Sequence, residues 1–348
     1  MGPIDTILNK ARKGNGLSLD EVSFLFENIT SKNINNALEV AIEVRNSVKG
    51  KVTSLYTCLY ITNFCLNDCS YCGFRKSNSD LLRKTLTIEQ IREEAKTIKK
   101  SKVSSAIIIG GTLPEEVYKE IIIKSVKICI EEGLVPWIEF ENLSKENLEA
   151  LYKAGARHFV LFQETYNPIL FDDLHKNNDI KSSFKGRMKK VDEAIDVGFE
   201  NIGIGALFGL SKDYLTEVRG IYIHASSLLD KGLSVCINIP TLKKAKKVIL
   251  KKVPNFIIEK LFIILKLALP NASLALSGRE DQNLRNRLFK IVDQVGSGGT
   301  PNPGGRTTFK ENYLQGDTQF SLSDKRSPKE VISYLKVNKL EIIEYPYW

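Results

Sequence analysis

Cys65, Cys69 and Cys72 fall within eight residues of the stretch CLYITNFCLNDCSYCGFR, and they are three of the six cysteines in the chain. The spacing is C-x3-C-x2-C. A structural zinc site takes four ligands, usually as two C-x-x-C-type pairs. Here there is one triplet and no second pair, and His175 and His224 are remote in sequence. A [4Fe–4S] cubane has four irons and can be held by three thiolates, which leaves one iron open. An open iron can take a ligand through an amine and a carboxylate. S-adenosylmethionine (SAM) carries both, and one electron from the cluster can cleave its C–S bond to a 5′-deoxyadenosyl radical. SAM and iron–sulfur clusters are among the cofactors that carry radical chemistry. Cys65, Cys69 and Cys72 are therefore the candidate metal ligands. Cys58 falls inside a strand-like run, Cys129 on an amphipathic helix and Cys236 in another strand-like run, and all three read as core thiols.

Composition is compatible with an enzyme of this kind. The 348 residues are 43% hydrophobic and 26% charged, the balance of a soluble globular protein with a large core. The most apolar stretch, FIIEKLFIILKLALP, is interrupted by Glu259, Lys260 and Lys266, so it reads as a buried helix rather than a membrane span. The first residues, MGPIDTILNKARKGNG, contain no apolar signal region, and Met1-Gly2 has no lipid context, so a cytoplasmic location is expected. Six cysteines are too few for a disulfide scaffold, and clustered thiols in a reducing compartment bind metal or do chemistry. The net charge of +9 reads as a Lys-rich solvated surface. The densest basic run, KKAKKVILKK at 243–252, lacks interleaved aromatics, so neither a nucleic-acid nor a membrane partner is expected.

Elements able to position the thiols follow a regular pattern. Residues 1–50 have helical periodicity, with Ser18 capping one helix and Asn35 or Asn36 another. Eight strand-like runs follow: 57–63, 105–111, 135–140, 158–164, 201–209, 233–240, 272–280 and 290–298. Segments of helical period lie between them at 87–100, 113–132, 143–154, 182–197, 211–231, 255–268 and 281–289. Continuous apolar strands alternating with helices imply a parallel sheet covered on both faces. Eight such units predict an α/β fold, a (β/α)8 barrel of the TIM type, closed or partly open. A doubly wound sheet is the alternative, although no G-x-G-x-x-G follows a first strand. The expected layout is a helical segment over 1–50, the barrel over 51–310, and an extension over 311–348 packed on it as a helix and a short strand. Barrel active sites lie at the C-terminal strand ends. The cysteine loop, Gly110-Gly111-Thr112, Glu141, Gln163-Glu164 and Ser277 to Glu280 all fall there.

YITNFCLNDCSYCGFRKSN resembles the cluster motif of the radical SAM enzymes that split aromatic amino acids. GARHFVLFQETYNPILFDDLH, FENIGIGALFGLSKD, ASLALSGRE, NPGG and DTQFSLSDKRSPKEV are similar to that family's pattern in the same order, from about residue 50 to 335. The resemblance implies a [4Fe–4S] cluster on the three cysteines and SAM above it. By the same resemblance Gly110, Gly111 and Thr112 would let backbone approach the methionyl amine, Glu164 would lie near the SAM ribose and methionine, and Arg187 would pair the SAM carboxylate. Arg279 would hold the carboxylate of an amino-acid substrate, with Ser277 and the loop 296–300 adding hydrogen bonds. The implied reaction is hydrogen abstraction from the substrate amine followed by fragmentation. In tyrosine lyases this breaks Cα–Cβ to give dehydroglycine (2-iminoacetate) and p-cresol for thiamine thiazole synthesis. Implied partners are a reductant such as flavodoxin or ferredoxin, and thiazole synthase.

Two stretches depart from the tyrosine-lyase pattern. PTLKKAKK stands where PRLRP is usual, placing Thr241 and Lys243 at arginine positions, and Arg306 replaces the tyrosine of PGGY. Both are expected near the substrate end and leave the substrate open between tyrosine, tryptophan and another amino acid. A radical SAM enzyme acting on RNA is a third alternative, for which no additional RNA-binding segment is evident. The hydrogenase-maturation branch needs a second C-terminal C-x-x-C, and no cysteine follows Cys236.

Overall fold

The computed structural model describes residues 2–176, 181, 183–306 and 315–344. Its centre is a ring of eight parallel strands: β1 (Val52–Thr62), β2 (Ser105–Gly110), β3 (Val135–Glu139), β4 (His158–Val160), β5 (Asn201–Gly205), β6 (Ser234–Asn238), β7 (Ser273–Leu276) and β8 (Gln294–Gly296). Each strand pairs with the next, and β1 pairs with β8 through Leu55↔Val295 and with β2 through Leu59↔Ile108. The barrel is thus closed, which decides between the closed, partly open and doubly wound arrangements. The pleat sorts side chains by alternation. Leu55, Leu59, Ile108, Ile138, Ile202, Ile237 and Leu274 face the surrounding helices in one continuous core. Tyr56, Trp137, Val160, Cys236 and Ala275 form a separate cluster that fills the barrel interior.

Seven helices occupy the expected intervals: α4 (Ile88–Lys100), α5 (Glu115–Glu131), α6 (Lys145–Lys153), α8 (Phe184–Val197), α9 (Tyr214–Asp230), α10 (Asn255–Ala268) and α11 (Gln282–Leu288). Residue 182, the first of the expected 182–197 helix, lies outside the described residues, as does the expected 310/311 boundary. One helix was not anticipated. α7 (Pro168–His175) begins where Asn167 accepts a hydrogen bond from the Leu170 amide at 3.0 Å, with Pro168 in the first turn. That is a legible start signal, concealed because 158–164 reads as one long strand. β4 ends at Val160 instead, and Glu164 adopts a left-handed φ of 68° that breaks the pleat.

The helices α1 (Pro3–Ala11), α2 (Leu19–Asn28) and α3 (Ile34–Lys49) cover α10. Ser18 caps α2 in a reciprocal box with Glu21, whereas α3 starts after Asn33 rather than Asn35 or Asn36. This cover explains how α10 can be buried and still carry charge. Lys260 donates to the carbonyls of Phe26 (2.7 Å) and Ile29 (3.2 Å), and Lys266 pairs with Asp293 at 2.8 Å. At the far end of the chain α12 (Pro328–Val337) leads into β9 (Glu341–Ile342), which pairs with Val52 and Thr53 of β1. No helix among the described residues is long and apolar enough to cross a membrane.

Candidate active site

The C-terminal ends of the strands open into two adjoining cavities. One, of about 110 Å³, is lined by Cys65, Cys69 and Cys72 together with Gly110, Gly111, Thr112, Glu164 and Arg187. The other, of about 160 Å³, reaches deeper into the barrel and is lined by Ser277, Arg279, Tyr56, Cys58, Asn238 and Lys243 among others. Six residues line both: Tyr71, Cys72, Ile109, Glu139, Glu164 and Gln319. All ten sequence-predicted site residues therefore line one of two connected spaces.

The cysteine loop is held against the end of β2. The Leu66 amide donates to the Thr112 carbonyl at 2.9 Å, and the Thr112 amide donates to Cys65 Sγ at 3.3 Å. A Cβ on Gly111 would lie 2.7 Å from the Phe64 carbonyl carbon and 2.8 Å from Cys65 Cβ. The glycine is thus required by the cysteine loop itself, in addition to the approach to SAM that the resemblance implies. Cys72 Sγ accepts from Gln319 Nε2 at 3.3 Å and from the Phe74 amide. Burial, with Cys69 and Cys65 beside it, pushes the Cys72 thiol up to about 12, so three thiolates gather here only against compensating positive charge. Among the described residues no three His, Cys, Asp or Glu side chains converge on a single ion position. Three thiolates of a cubane each meet a different iron. The donor set fits a three-thiolate cluster.

Beside the thiols stands a chain of buried polar groups. Arg187 on α8 is ion-paired with Glu141, lies 3.5 Å from Glu164 Oε1 and donates from Nε to the Phe162 carbonyl. Lys181 approaches Glu141 at 3.6 Å. The Tyr71 hydroxyl lies 2.8 Å from His175 Nε2 and hydrogen-bonds the Glu164 carboxylate. Burial pushes the Glu164 carboxyl above its usual range and His175 down to about 3, so the imidazole is neutral. Glu164 holds its position at the cost of a strained left-handed backbone, a feature that concentrates at functional sites.

Around the larger cavity, Arg279 follows β7 and its guanidinium lies flat on Phe320, 3.5 Å from the ring centre. Its side chain donates a long hydrogen bond, 3.4 Å, to the Thr241 carbonyl, and Ser277 Oγ accepts from the Arg279 amide at 3.3 Å. Glu280 is buried and fully engaged: the Thr241 amide and hydroxyl donate to it at 3.0 and 2.9 Å, and Lys243 lies 3.5 Å away. Two sequence expectations change here. Arg306 lines neither cavity. It donates to Thr57 Oγ1 (2.6 Å) and the Cys58 carbonyl (2.8 Å) and pairs with Glu94 at 3.4 Å, bracing the outer side of β1. Cys58, read as a core thiol, lines the larger cavity, where burial pushes it up to about 12.

Sequence reasoning missed Glu139, Gln319, Asn238 and Tyr71 as site residues. Glu139 sits in the run 135–140, read only for its hydrophobicity. Gln319 and Phe320 lie in DTQFSLSDKRSPKEV, quoted for its pattern without a structural role, and in the fold this segment roofs both cavities.

Comparison with known proteins agrees with this arrangement. The family model of the radical SAM superfamily matches residues 59–219. The 2-iminoacetate synthase of Salmonella typhimurium is 26% identical over 299 residues, 83% of this chain and 75% of that protein. Among solved structures, HydG, a maturase of the [FeFe]-hydrogenase, superposes with a TM-score of 0.89 at 25% identity over 98% of this chain and 76% of its own. HydG from Carboxydothermus hydrogenoformans gives 0.87 at 30% identity over 97% and 79%. With a three-cysteine loop at the mouth of a closed (β/α)8 barrel and these relatives along nearly its whole length, the chain belongs to the radical SAM superfamily, whose members use a [4Fe–4S] cluster and SAM.

Proposed function

We propose that this protein is a radical SAM carbon–carbon lyase that splits an aromatic amino acid, with tyrosine as the leading substrate and dehydroglycine and p-cresol as products. The observation that carries the reading is the junction of the two cavities: a space lined by the cysteines opens directly onto one lined by a guanidinium with room for a carboxylate. When bound, the cluster and SAM supply a one-electron cleavage that creates an acceptor for a hydrogen atom. In this reading Arg279 holds the substrate carboxylate through a fork of two N–H···O bonds. Phe320 and the Thr241 carbonyl keep that fork in one orientation. Arg187 and Glu164 stand on the cofactor side, for the SAM carboxylate and ribose. Tyr60, Phe162 and Leu207 give the larger cavity apolar walls suited to an aromatic ring. The chemistry balances: the amine nitrogen gives up a hydrogen atom, Cα–Cβ breaks to leave dehydroglycine, and the benzylic fragment takes an electron and a proton to become p-cresol. A flavodoxin or ferredoxin would serve as reductant, and thiazole synthase would consume the dehydroglycine, which hydrolyses readily as a free imine.

A second reading, the same cleavage on tryptophan or another amino acid, is favoured by Lys243. It lines the larger cavity at a position where the tyrosine lyases usually carry arginine, and its ammonium is tied to Glu280. The test is anaerobic reconstitution with iron and sulfide, followed by SAM, dithionite and single amino acids. Tyrosine-dependent 5′-deoxyadenosine with p-cresol supports the leading reading. Stimulation by tryptophan alone transfers the assignment. A Cys69→Ala variant that still cleaves SAM refutes the reading as a whole.

A further inference from the structure

Glu139 is the last residue of β3. Strand alternation places it on the same face as Trp137, which belongs to the interior cluster, so its carboxylate points into the barrel. It lines both cavities and stands at their junction. The other carboxylates of this rim are engaged: Glu141 by Arg187 and Lys181, Glu164 by Arg187 and Tyr71, Glu280 by Thr241 and Lys243. Among the described residues no hydrogen bond or ion pair reaches Glu139. Several groups bias its charge from the elements around it. Glu164 after β4 opposes ionisation, Arg187 on α8, Lys181 and Arg279 after β7 favour it, and Cys58 and Tyr60 of β1 face it. Burial outweighs the cations, and the carboxyl is pushed up to about 8. A carboxyl enclosed by protein, left without a partner and exposed only to a ligand cavity is an acceptor awaiting a cation.

An α-amino acid supplies that cation on the carbon that bears its carboxylate. Arg279 lines the same cavity and is near enough to bias the charge of Glu139, so if it takes the carboxylate, the two charged groups of the ligand meet opposite charges within one space. We propose that Glu139 receives the α-amino group of the substrate and takes up its ammonium proton, presenting a neutral amine toward the cysteine cavity. The inference rests on the reading that an amino acid occupies the larger cavity. Proton balance is simple. The free carboxyl and the free ammonium bring two protons, the complex retains one between Nα and the carboxylate oxygen, and one passes to solvent. No electrons move. Loss of a hydrogen atom from a neutral amine leaves a neutral aminyl radical, whereas loss from an ammonium leaves an aminium radical cation, so the proton transfer belongs before the radical step. Glu139 would then be a catalytic residue, in contact with the reacting atom.

The test is a binding measurement on the cluster-loaded protein with SAM and without reductant, so that no turnover occurs. Isothermal titration calorimetry at pH 7, in two buffers of different ionisation enthalpy, counts protons released on binding L-tyrosine and its deaminated analogue 3-(4-hydroxyphenyl)propanoate. L-tryptophan and 3-indolepropanoate form a second pair. Wild type should release close to one proton per amino acid bound and none with the deaminated acid. Glu139→Gln should weaken amino-acid binding by roughly ten- to a hundredfold, the loss of a charge-assisted hydrogen bond. It should abolish proton release and leave the deaminated acid and SAM within twofold. Glu139→Asp should restore part of the proton release. Three results overturn the assignment: amino-acid affinity unchanged in Glu139→Gln, an equal loss for the deaminated acid, or a loss confined to SAM. If wild type binds neither tyrosine nor tryptophan, the aromatic amino-acid reading fails and this inference fails with it.

Discussion

Replacing Arg279 by lysine separates a substrate-binding role from a structural one. The guanidinium is fixed by a stack on Phe320 at 3.5 Å and by one long hydrogen bond of 3.4 Å, so little of its hydrogen-bonding capacity is committed to the fold. Lysine keeps the charge but offers a point donor in place of a fork. The loss is then one charge-assisted hydrogen bond, about 1.5–3 kcal/mol, plus about 0.5–1 kcal/mol of cation–π contact that set the orientation. A total of about 2–4 kcal/mol predicts a fall in kcat/KM of roughly 30- to 700-fold at 1.4 kcal/mol per decade. The assay is amino-acid-dependent formation of 5′-deoxyadenosine, with SAM affinity measured alongside and expected to be unchanged. Stability should fall by no more than about 1 kcal/mol, a shift in Tm of about 1–2 °C. Activity within threefold of wild type would refute the placement of Arg279 on the substrate carboxylate. A Tm loss above about 10 °C would show that the residue serves the fold instead.

Four further outcomes follow from contacts elsewhere. Gln319→Leu removes an N–H···S bond to Cys72, and since such bonds favour the more negative reduced cluster, redox titration should give a potential roughly 20–60 mV lower. Gly111→Ala brings a methyl within 2.8 Å of Cys65 Cβ, so iron content and cluster absorbance after reconstitution should drop while far-UV circular dichroism stays that of wild type. Asp293→Asn strips the partner from Lys266, with both side chains at most 1% exposed, and should cost about 3–5 kcal/mol in chemical denaturation. The three histidines, His158, His175 and His224, are held by burial at about 4, 3 and 4. Their folded values lie below the unfolded one of about 6.5, so the unfolded chain binds more protons in that interval and stability declines as pH falls from about 6.5 to 4, by up to about 1.4 kcal/mol per pH unit for each histidine. A flat stability profile across that range would contradict the burial of these rings.

What could be read from sequence and what could not divides along a physical line. The strands were legible because both of their faces are apolar: Leu55 and Leu59 meet helices while Tyr56 and Trp137 fill the interior, so each strand appears as an unbroken hydrophobic run. Their ends were not: the run 158–164 continues through Gln163 and Glu164, whereas β4 ends at Val160 and the backbone turns at Glu164 with φ 68°. The cysteine triplet was legible because its donors are local. Arg187 and Arg279 came through resemblance alone, since nothing local distinguishes them from other arginines on helices and strand ends. Glu139 and Gln319 went unread because their meaning depends on partners far away in sequence, a cavity in one case and Cys72 in the other. The departure at Arg306 was legible as a departure, yet its role was not: the side chain turns outward to Glu94 and Thr57.

Arg306 also shows how a substitution outside the cavity can bear on what the cavity accepts. Its guanidinium holds the Thr57 hydroxyl and the Cys58 carbonyl, and both residues line the larger space. Glu94 of α4 anchors the same guanidinium from the other side, so α4, β1 and the loop after β8 are joined through one buried charge pair. Farther round the wall Glu280 joins the segment after β6 to the end of β7 through Thr241 and Lys243. The departures from the tyrosine-lyase pattern thus fall into two separate braces on the cavity wall. One ends outside it at Glu94, and the other places the Lys243 side chain in its lining. Residues that set wall spacing in this way change which side chain fits without touching the carboxylate or amine sites. Substrate range in this protein should therefore vary with these braces, while Arg279, Glu139 and the cysteine loop stay the same.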